Sequence, residues 1–318
     1  MTDPRFVHLR VHSEYSISDS IVRLDALVSA AAADAQPAVA VTDLGNLFGW
    51  IKFYGAARAR GLKPLCGVDC WVTNESDRDR PFRLLLLARN HAGYLRLCEL
   101  LSRAWLENEY RGRAELRADW FDGPAADGRP LGEGLIALSG AHQGEVGQAL
   151  LAGNREAAEA AAQRWAQRFP DAFYLEVQRY GIPEAEHQTR AAAWLAADTG
   201  LPLVATHPVQ FLTPSEFRAH EARVCIAEGE ILANPRRQRR FAEDQYLRSQ
   251  DEMCELFADL PSALANSVEI ARRCNVSMVL GKPQLPLFPA PAGVSLDDYL
   301  RQLAVEGLAE RMETLFPA

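Results

Sequence analysis

The stretch FVHLRVHSEYSISDS, residues Phe6–Ser20, sets the frame for the rest of the chain. Its first half alternates, so that Phe6, His8, Arg10 and His12 face one way along an extended strand while Val7, Leu9 and Val11 face the other. A polar row on one side of an apolar strand marks a strand whose end opens into a cleft. Arg10 and His12, two apart, aim into the same space. With His at position 10 the pair would be a metal-binding H-x-H; Arg leaves half of one.

Outward from there, strands and helices alternate. Ile21–Ala35 places Ile21, Leu24, Leu27, Val28 and Ala31 at helical spacing behind an Asp19/Ser20 start, and Ala38–Thr42 is an apolar run suited to a buried parallel strand. Helix is expected over Asn46–Arg60, strand over Lys63–Val72 and Phe82–Ala88, with a polar loop between the two strands. A long helix over His91–Glu107 turns Tyr94, Leu97, Leu101, Ala104 and Trp105 inward, and residues 108–134 form an extended excursion rich in Gly, Asp and Arg. Gly134–Ser139, Phe173–Gln178 and Leu201–Thr206 read as strands, Asn154–Phe169 and Pro183–Thr199 as helices. Repeated β/α units without a Gly-rich nucleotide fingerprint predict a closed barrel of parallel strands, with its chemistry at the strand ends.

Beyond Phe211 the pattern turns helical, over Pro214–Ala227, Asp251–Phe257 and Ser262–Cys274, around a basic loop at Asn234–Arg240. The proline-rich Lys282–Ala292 is a linker, and Ser295–Leu315 a Ser-capped amphipathic helix. The expected division is residues 1–280 as one barrel domain and 281–318 as a linker opening the next part of a longer polypeptide.

Composition narrows the function. The 318 residues are 48% hydrophobic and 24% charged, as in a globular protein, with neither an apolar run of membrane-spanning length nor a secretory leader in MTDPRFVHLR. Six cysteines at 66, 70, 98, 225, 254 and 274 lack C-x-x-C spacing, which favours reduced thiols and a cytoplasmic location; a metal pair at Cys66 and Cys70 would need two further ligands. A net charge of −8 is the wrong sign for a domain that grips nucleic acid unaided. No nucleophile elbow, phosphate-binding loop or H-E-x-x-H supports a serine hydrolase, NTPase or zincin.

Phe6–Ser20, residues 38–72 (AVAVTDLGNLFGWIKFYGAARARGLKPLCGVDCWV), 84–97 (LLLLARNHAGYLRL), 134–146 (GLIALSGAHQGEV) and 247–276 together resemble the N-terminal PHP (polymerase and histidinol phosphatase) domain of bacterial replicative DNA polymerase III alpha subunits. The resemblance implies a distorted seven-stranded β/α barrel whose intact members hold up to three metal ions on nine strand-end ligands for phosphoester hydrolysis. At the matching positions this sequence departs widely. The H-x-H is Arg10-Val11-His12, Asp19 is kept, and T-D-H-G appears as Thr42-Asp43-Leu44-Gly45, with Leu44 where a His ligand is expected. G-x-E becomes Gly67-Val68-Asp69, a strand-leading His becomes Arg83, S-G-C becomes Ser139-Gly140-Ala141, and D-x-H becomes Pro208-Val209-Gln210.

Guanidiniums cannot be deprotonated in a protein, so Arg10 and Arg83 are expected to replace the ions electrostatically and to hold the cleft through Asp19 and Asp69. His207 is one residue out of register for a substitute ligand, His8 reads as a core imidazole, and His142 with Glu145 is either an acid/base pair or a polar cluster at a helix start. Arg236, Arg237, Arg239 and Arg240 are either a DNA or acidic-partner contact or a solvated loop. The resemblance further implies a catalytically degenerate scaffold that stabilises the polymerase and docks its proofreading exonuclease subunit. No cofactor is expected in this stretch, and Mg belongs to the full polymerase. The alternative is a residual metal-dependent phosphoesterase or exonuclease using His12, Asp19 and Asp69.

Overall fold

Short runs of consecutive apolar residues set up the sheet, because a strand covered on both faces needs no alternation. The computed structural model describes residues 5–316 apart from 235, 284 and 287. The reading of the extreme N-terminus, and parts of the basic loop, the proline-rich passage and the chain end, therefore fall outside the described residues. In chain order the elements are α1 (Leu24–Ala33), β1 (Ala38–Val41), α2 (Trp50–Ala59), β2 (Lys63–Val72), β3 (Phe82–Ala88), α3 (His91–Glu107), β4 (Glu109–Tyr110), β5 (Arg113–Leu116), β6 (Leu135–Leu138), α4 (Glu145–Leu151), α5 (Arg155–Arg168), β7 (Phe173–Gln178), α6 (Pro183–Thr199), β8 (Leu203–Thr206), α7 (Phe217–Glu228), α8 (Gln250–Leu256), α9 (Pro261–Arg273) and α10 (Leu296–Leu315).

The main path of the sheet runs β4-β5-β2-β3-β6-β7-β8, with β1 also on β2. Parallel pairing joins β1 to β2, β6 to β7 and β7 to β8. In contrast to the all-parallel expectation, β3 is antiparallel to both β2 and β6. The connection over residues 73–81 is too short for the crossover that a parallel return needs. This reversal puts the start of β3 beside the end of β2, with Arg83 paired to Trp71.

The opening stretch forms no regular strand, contrary to its alternation; only Val11 makes a bridge, to Val209. Its backbone nevertheless lies between β1 and the segment that follows β8. Ala40 N donates to His8 O (2.9 Å) and Thr42 N to Val11 O (2.8 Å) on one side, His12 N to Val209 O (3.1 Å) on the other. The result is a distorted α/β barrel in which regular pairing does not close the ring and isolated hydrogen bonds of Phe6–His12 span the gap.

The excursion after α3 is packed structure rather than a free loop. Its β4–β5 hairpin joins the sheet through β5 and β2, and its Phe121 ring sits 5.2 Å from Phe169. On α3 the inner side is also shifted: Arg96 is buried, paired with Asp127 of the excursion, whereas Trp105 is 47% exposed. The covering segment thus meets a face that helical periodicity alone had assigned to solvent. The chain divides into two compact units, residues 1–277 and 278–318, and α10 in the second has no buried residue. Among the described residues no helix is long and apolar enough to cross a membrane.

Candidate active-site cleft

Asp69, near the middle of β2, is 1% exposed and sits under three cations. Arg83 holds it as a fork, with Nε donating to Oδ1 at 3.1 Å and Nη2 to Oδ2. Arg10 Nη1 donates to Oδ2, and His12 Nε2 lies 3.1 Å from the same oxygen. The other side of Arg10 makes a second fork, Nε to Glu176 Oε1 (2.8 Å) and Nη2 to Glu176 Oε2 (2.9 Å). Glu176 is 0% exposed and also accepts from Thr206 Oγ1 (2.5 Å), Gln178 Nε2 (3.1 Å) and the Gly140 backbone (3.1 Å).

The fold reason for this convergence is local. Arg10 leaves the opening stretch beside β1, Arg83 starts the reversed β3, and Glu176 rises from β7. Gly140 has φ +80°, and a Cβ there would stand 2.1 Å from the Arg83 carbonyl, so only glycine lets this turn press against β3.

Asp19 is held differently from expectation. Its partner is His12 Nδ1, at 3.1 and 3.2 Å, and no guanidinium bonds it, because Arg10 and Arg83 are committed to Asp69 and Glu176. Asp43 lies outside the cation cluster as well and accepts from the Ser13 backbone (2.6 Å) and from the hydroxyls of Ser13 and Ser16 (2.8 Å each). It pins the loop between His12 and Asp19. Leu44 is half-buried and pairs its backbone with Asp69; Ala141 is fully buried, Pro208 lines the cleft, and Gln210 Nε2 lies 3.3 Å from His12 Nδ1.

Electrostatics follow the partners. Burial opposes the Asp69 charge, but Arg10, Arg83 and His12 outweigh it and hold the carboxyl far below its ordinary range. Burial would likewise neutralise His12, yet the adjoining Asp19 and then Asp69 raise it to about 9. Asp19 is lowered, the same imidazole and Arg83 overcoming its burial. Asp43, whose hydrogen-bond partners are two hydroxyls and one backbone amide, with no paired cation among the described residues, is raised by burial.

This donor set does not suit the metal cluster that the fold family implies. The carboxylates that would face ions are bonded to guanidiniums and an imidazolium, and among the described residues no group of three or more His, Cys, Asp or Glu is arranged to hold a metal ion. His207 is no substitute. It is absent from the cleft lining and packs edge-on against His8, ring centroids 6.3 Å apart, while His8 Nε2 bonds the Arg248 carbonyl at 2.7 Å. Nor are His142 and Glu145 a pair: His142 Nε2 meets Tyr180 Oη (3.2 Å), and Glu145 accepts from Arg164 (2.6 Å) and Trp165 Nε1 (2.8 Å).

The basic loop is not simply solvated. Arg237 is buried in an ion pair with Glu221, and Arg240 bonds Glu228 (2.7 Å) while lining the cleft. Sequence reading missed Glu176, although a carboxylate inside the apolar FYLEVQ run, two residues from Gln178, is the signal that would have found it.

Comparison with known proteins gives this arrangement a family. Over 319 residues the chain is 49% identical to DNA polymerase III subunit alpha of Neisseria meningitidis, and over 312 residues 48% identical to that of Pseudomonas aeruginosa. These alignments cover 100% and 98% of this chain but 27% and 26% of the relatives, so the chain spans about a quarter of their length. A solved amidohydrolase from Chromobacterium violaceum is 17% identical, with a TM-score of 0.43, over 68% of this chain and 96% of its own. The PHP domain model matches residues 8–180, more than half of the sequence and all of the cleft's cation cluster, and the chain belongs to the PHP domain family.

Proposed function

We propose that this chain is the N-terminal PHP domain of a replicative DNA polymerase alpha subunit, serving as a catalytically degenerate scaffold that stabilises the polymerase chain and docks the separate proofreading exonuclease. One observation carries the reading: both oxygens of Asp69 and both of Glu176 are taken by Arg10 and Arg83 or their neighbours. Metal-assisted phosphoester hydrolysis needs carboxylates that face ions and a water activated between them. Here they face fixed cations that neither activate water nor leave. A replicase whose PHP cleft cannot excise must obtain proofreading in trans, which is the physical sense of an exonuclease partner. Nucleotidyl transfer and its Mg requirement belong to the remainder of the polymerase chain, acting in the cytoplasm.

The rival reading, a residual phosphoesterase, rests on His12 lying 3.1 Å from both Asp19 and Asp69. Two measurements separate them. A pull-down of this chain with the cognate exonuclease subunit should recover a stoichiometric complex. A chromogenic phosphodiester assay with manganese should give no turnover above background. Turnover that disappears in Asp19→Ala would establish the rival and retire the scaffold.

A further inference from the structure

The cleft holds guanidinium N–H groups that its own carboxylates do not use. Arg83 commits Nε and Nη2 to Asp69, and its Nη1 meets no acceptor among the described residues. Arg113 commits Nε and Nη2 to Glu115 and the Arg78 carbonyl, and its Nη1 likewise meets none. Arg240 gives only Nη1, to Glu228. All three line one cavity of about 350 Å³.

Each of these guanidiniums also lies over an aromatic ring. Arg83 and Arg113 stand 4.1 and 5.8 Å from the centre of Trp71, and Arg240 stands 5.5 Å from Phe241. Stacking fixes the plane of a guanidinium and leaves its edge for in-plane oxygens. Glu115, Glu228 and Glu176, which pair with Arg113, Arg240 and Arg10, are not part of the cavity lining, whereas Asp69 and Asp19 are, Asp69 held by Arg10 and Arg83 and Asp19 by His12. Four guanidiniums and His12 thus face two lining carboxylates that are already paired, and positive charge is in excess. Gln210 adds an independent observation. It is 4% exposed and lines the same cavity, and one end of its amide has no hydrogen-bond partner, a polar group suited to a ligand.

We propose that this cleft is an anion site, taking a small oxyanion of phosphate or carboxylate type on Arg83, Arg113 and Arg240, where intact members of the family hold cations. The site is independent of exonuclease docking. An adjoining groove of about 800 Å³ shares Trp71, Arg83, Gln143 and Arg240 with it, so an organic substituent on the anion has room.

The test is thermal melting of the 318-residue chain at constant ionic strength, titrated separately with sodium phosphate, sodium malonate and manganese chloride against a sodium chloride reference. A saturable rise with phosphate, with or without malonate, is expected, malonate deciding whether a carboxylate is also accepted. Arg240→Gln should weaken the apparent phosphate affinity several-fold, and Arg113→Gln/Arg240→Gln about tenfold or more. Arg240 is 57% exposed on its side chain, so the single variant keeps the test open if the double variant fails to fold. No saturable effect of either anion, saturable stabilisation by manganese alone, or unchanged phosphate affinity in folded Arg240→Gln overturns the proposal.

Discussion

His8 and His12 lie four residues apart in the same stretch, both buried, and their surroundings shift them in opposite directions. Around His12 two carboxylates stand within 3.1 Å, and the imidazole is raised to about 9. Around His8 the partners are a backbone carbonyl and the edge of His207, and burial lowers it to about 4, His207 to about 3. Burial alone sets neither outcome. The cleft is polar because its charges are mutually paired, whereas the adjacent histidine seam is held as neutral core.

The strongest way to break this comparison is to remove the hub. Asp69→Ala leaves Arg10, Arg83 and His12 without their shared carboxylate and should destabilise the chain by about 3–5 kcal/mol in urea denaturation. A loss below about 1 kcal/mol would mean that the three cations do not depend on it. Next in size, Arg10→Met strands Glu176 and should lose about 3 kcal/mol, while Arg10→Met/Glu176→Gln should recover part of it. Strict additivity of the two single changes would argue that the fork is not coupled.

A pH titration of stability probes both histidine environments at once. His12 is raised when folded, so its contribution is full below about pH 6.5 and is lost as pH climbs through about 9. His8 and His207 are lowered when folded, so the unfolded chain binds protons first and stability falls as pH drops from about 6.5 toward 4. His12→Gln should flatten the alkaline limb and His207→Leu the acid limb, each by about 1–3 kcal/mol across its window. An alkaline limb unchanged by His12→Gln would remove the cation from the cluster. The smallest effect is expected at Asp43, whose partners are hydroxyls and one amide; Asp43→Asn should cost about 1–2 kcal/mol, read from the same denaturation curves.

How much of this was legible in the sequence depends on the range of the interaction. Strands such as Lys63–Val72 and Phe82–Ala88, and helices such as His91–Glu107, follow from local apolar runs and periodicity and match the structure end to end. The antiparallel direction of β3 was implicit in the short 73–81 connection, but a β/α rhythm on either side overrode it. The opening stretch read as a strand because its alternation is real, yet its neighbours offer only isolated hydrogen bonds. In the cleft, the expected pairing of Arg10 and Arg83 with Asp69 is present and that with Asp19 is not. Arg10 and Arg83 were expected to hold both Asp19 and Asp69; they share Asp69, and the other side of Arg10 is taken by Glu176, 166 residues away in sequence. A long-range partner of that kind leaves only an indirect mark, a charged residue inside a strand with no other reason to be polar.

Guanidiniums hold Asp69 and Glu176 of this barrel where a metal-binding cleft would hold divalent ions. Elemental analysis of the chain after exposure to excess manganese and zinc and exhaustive dialysis tests it most directly. Less than about one equivalent of retained metal, unchanged in Asp19→Ala, is expected. Two or more tightly held equivalents, lost in Asp19→Ala, would contradict it.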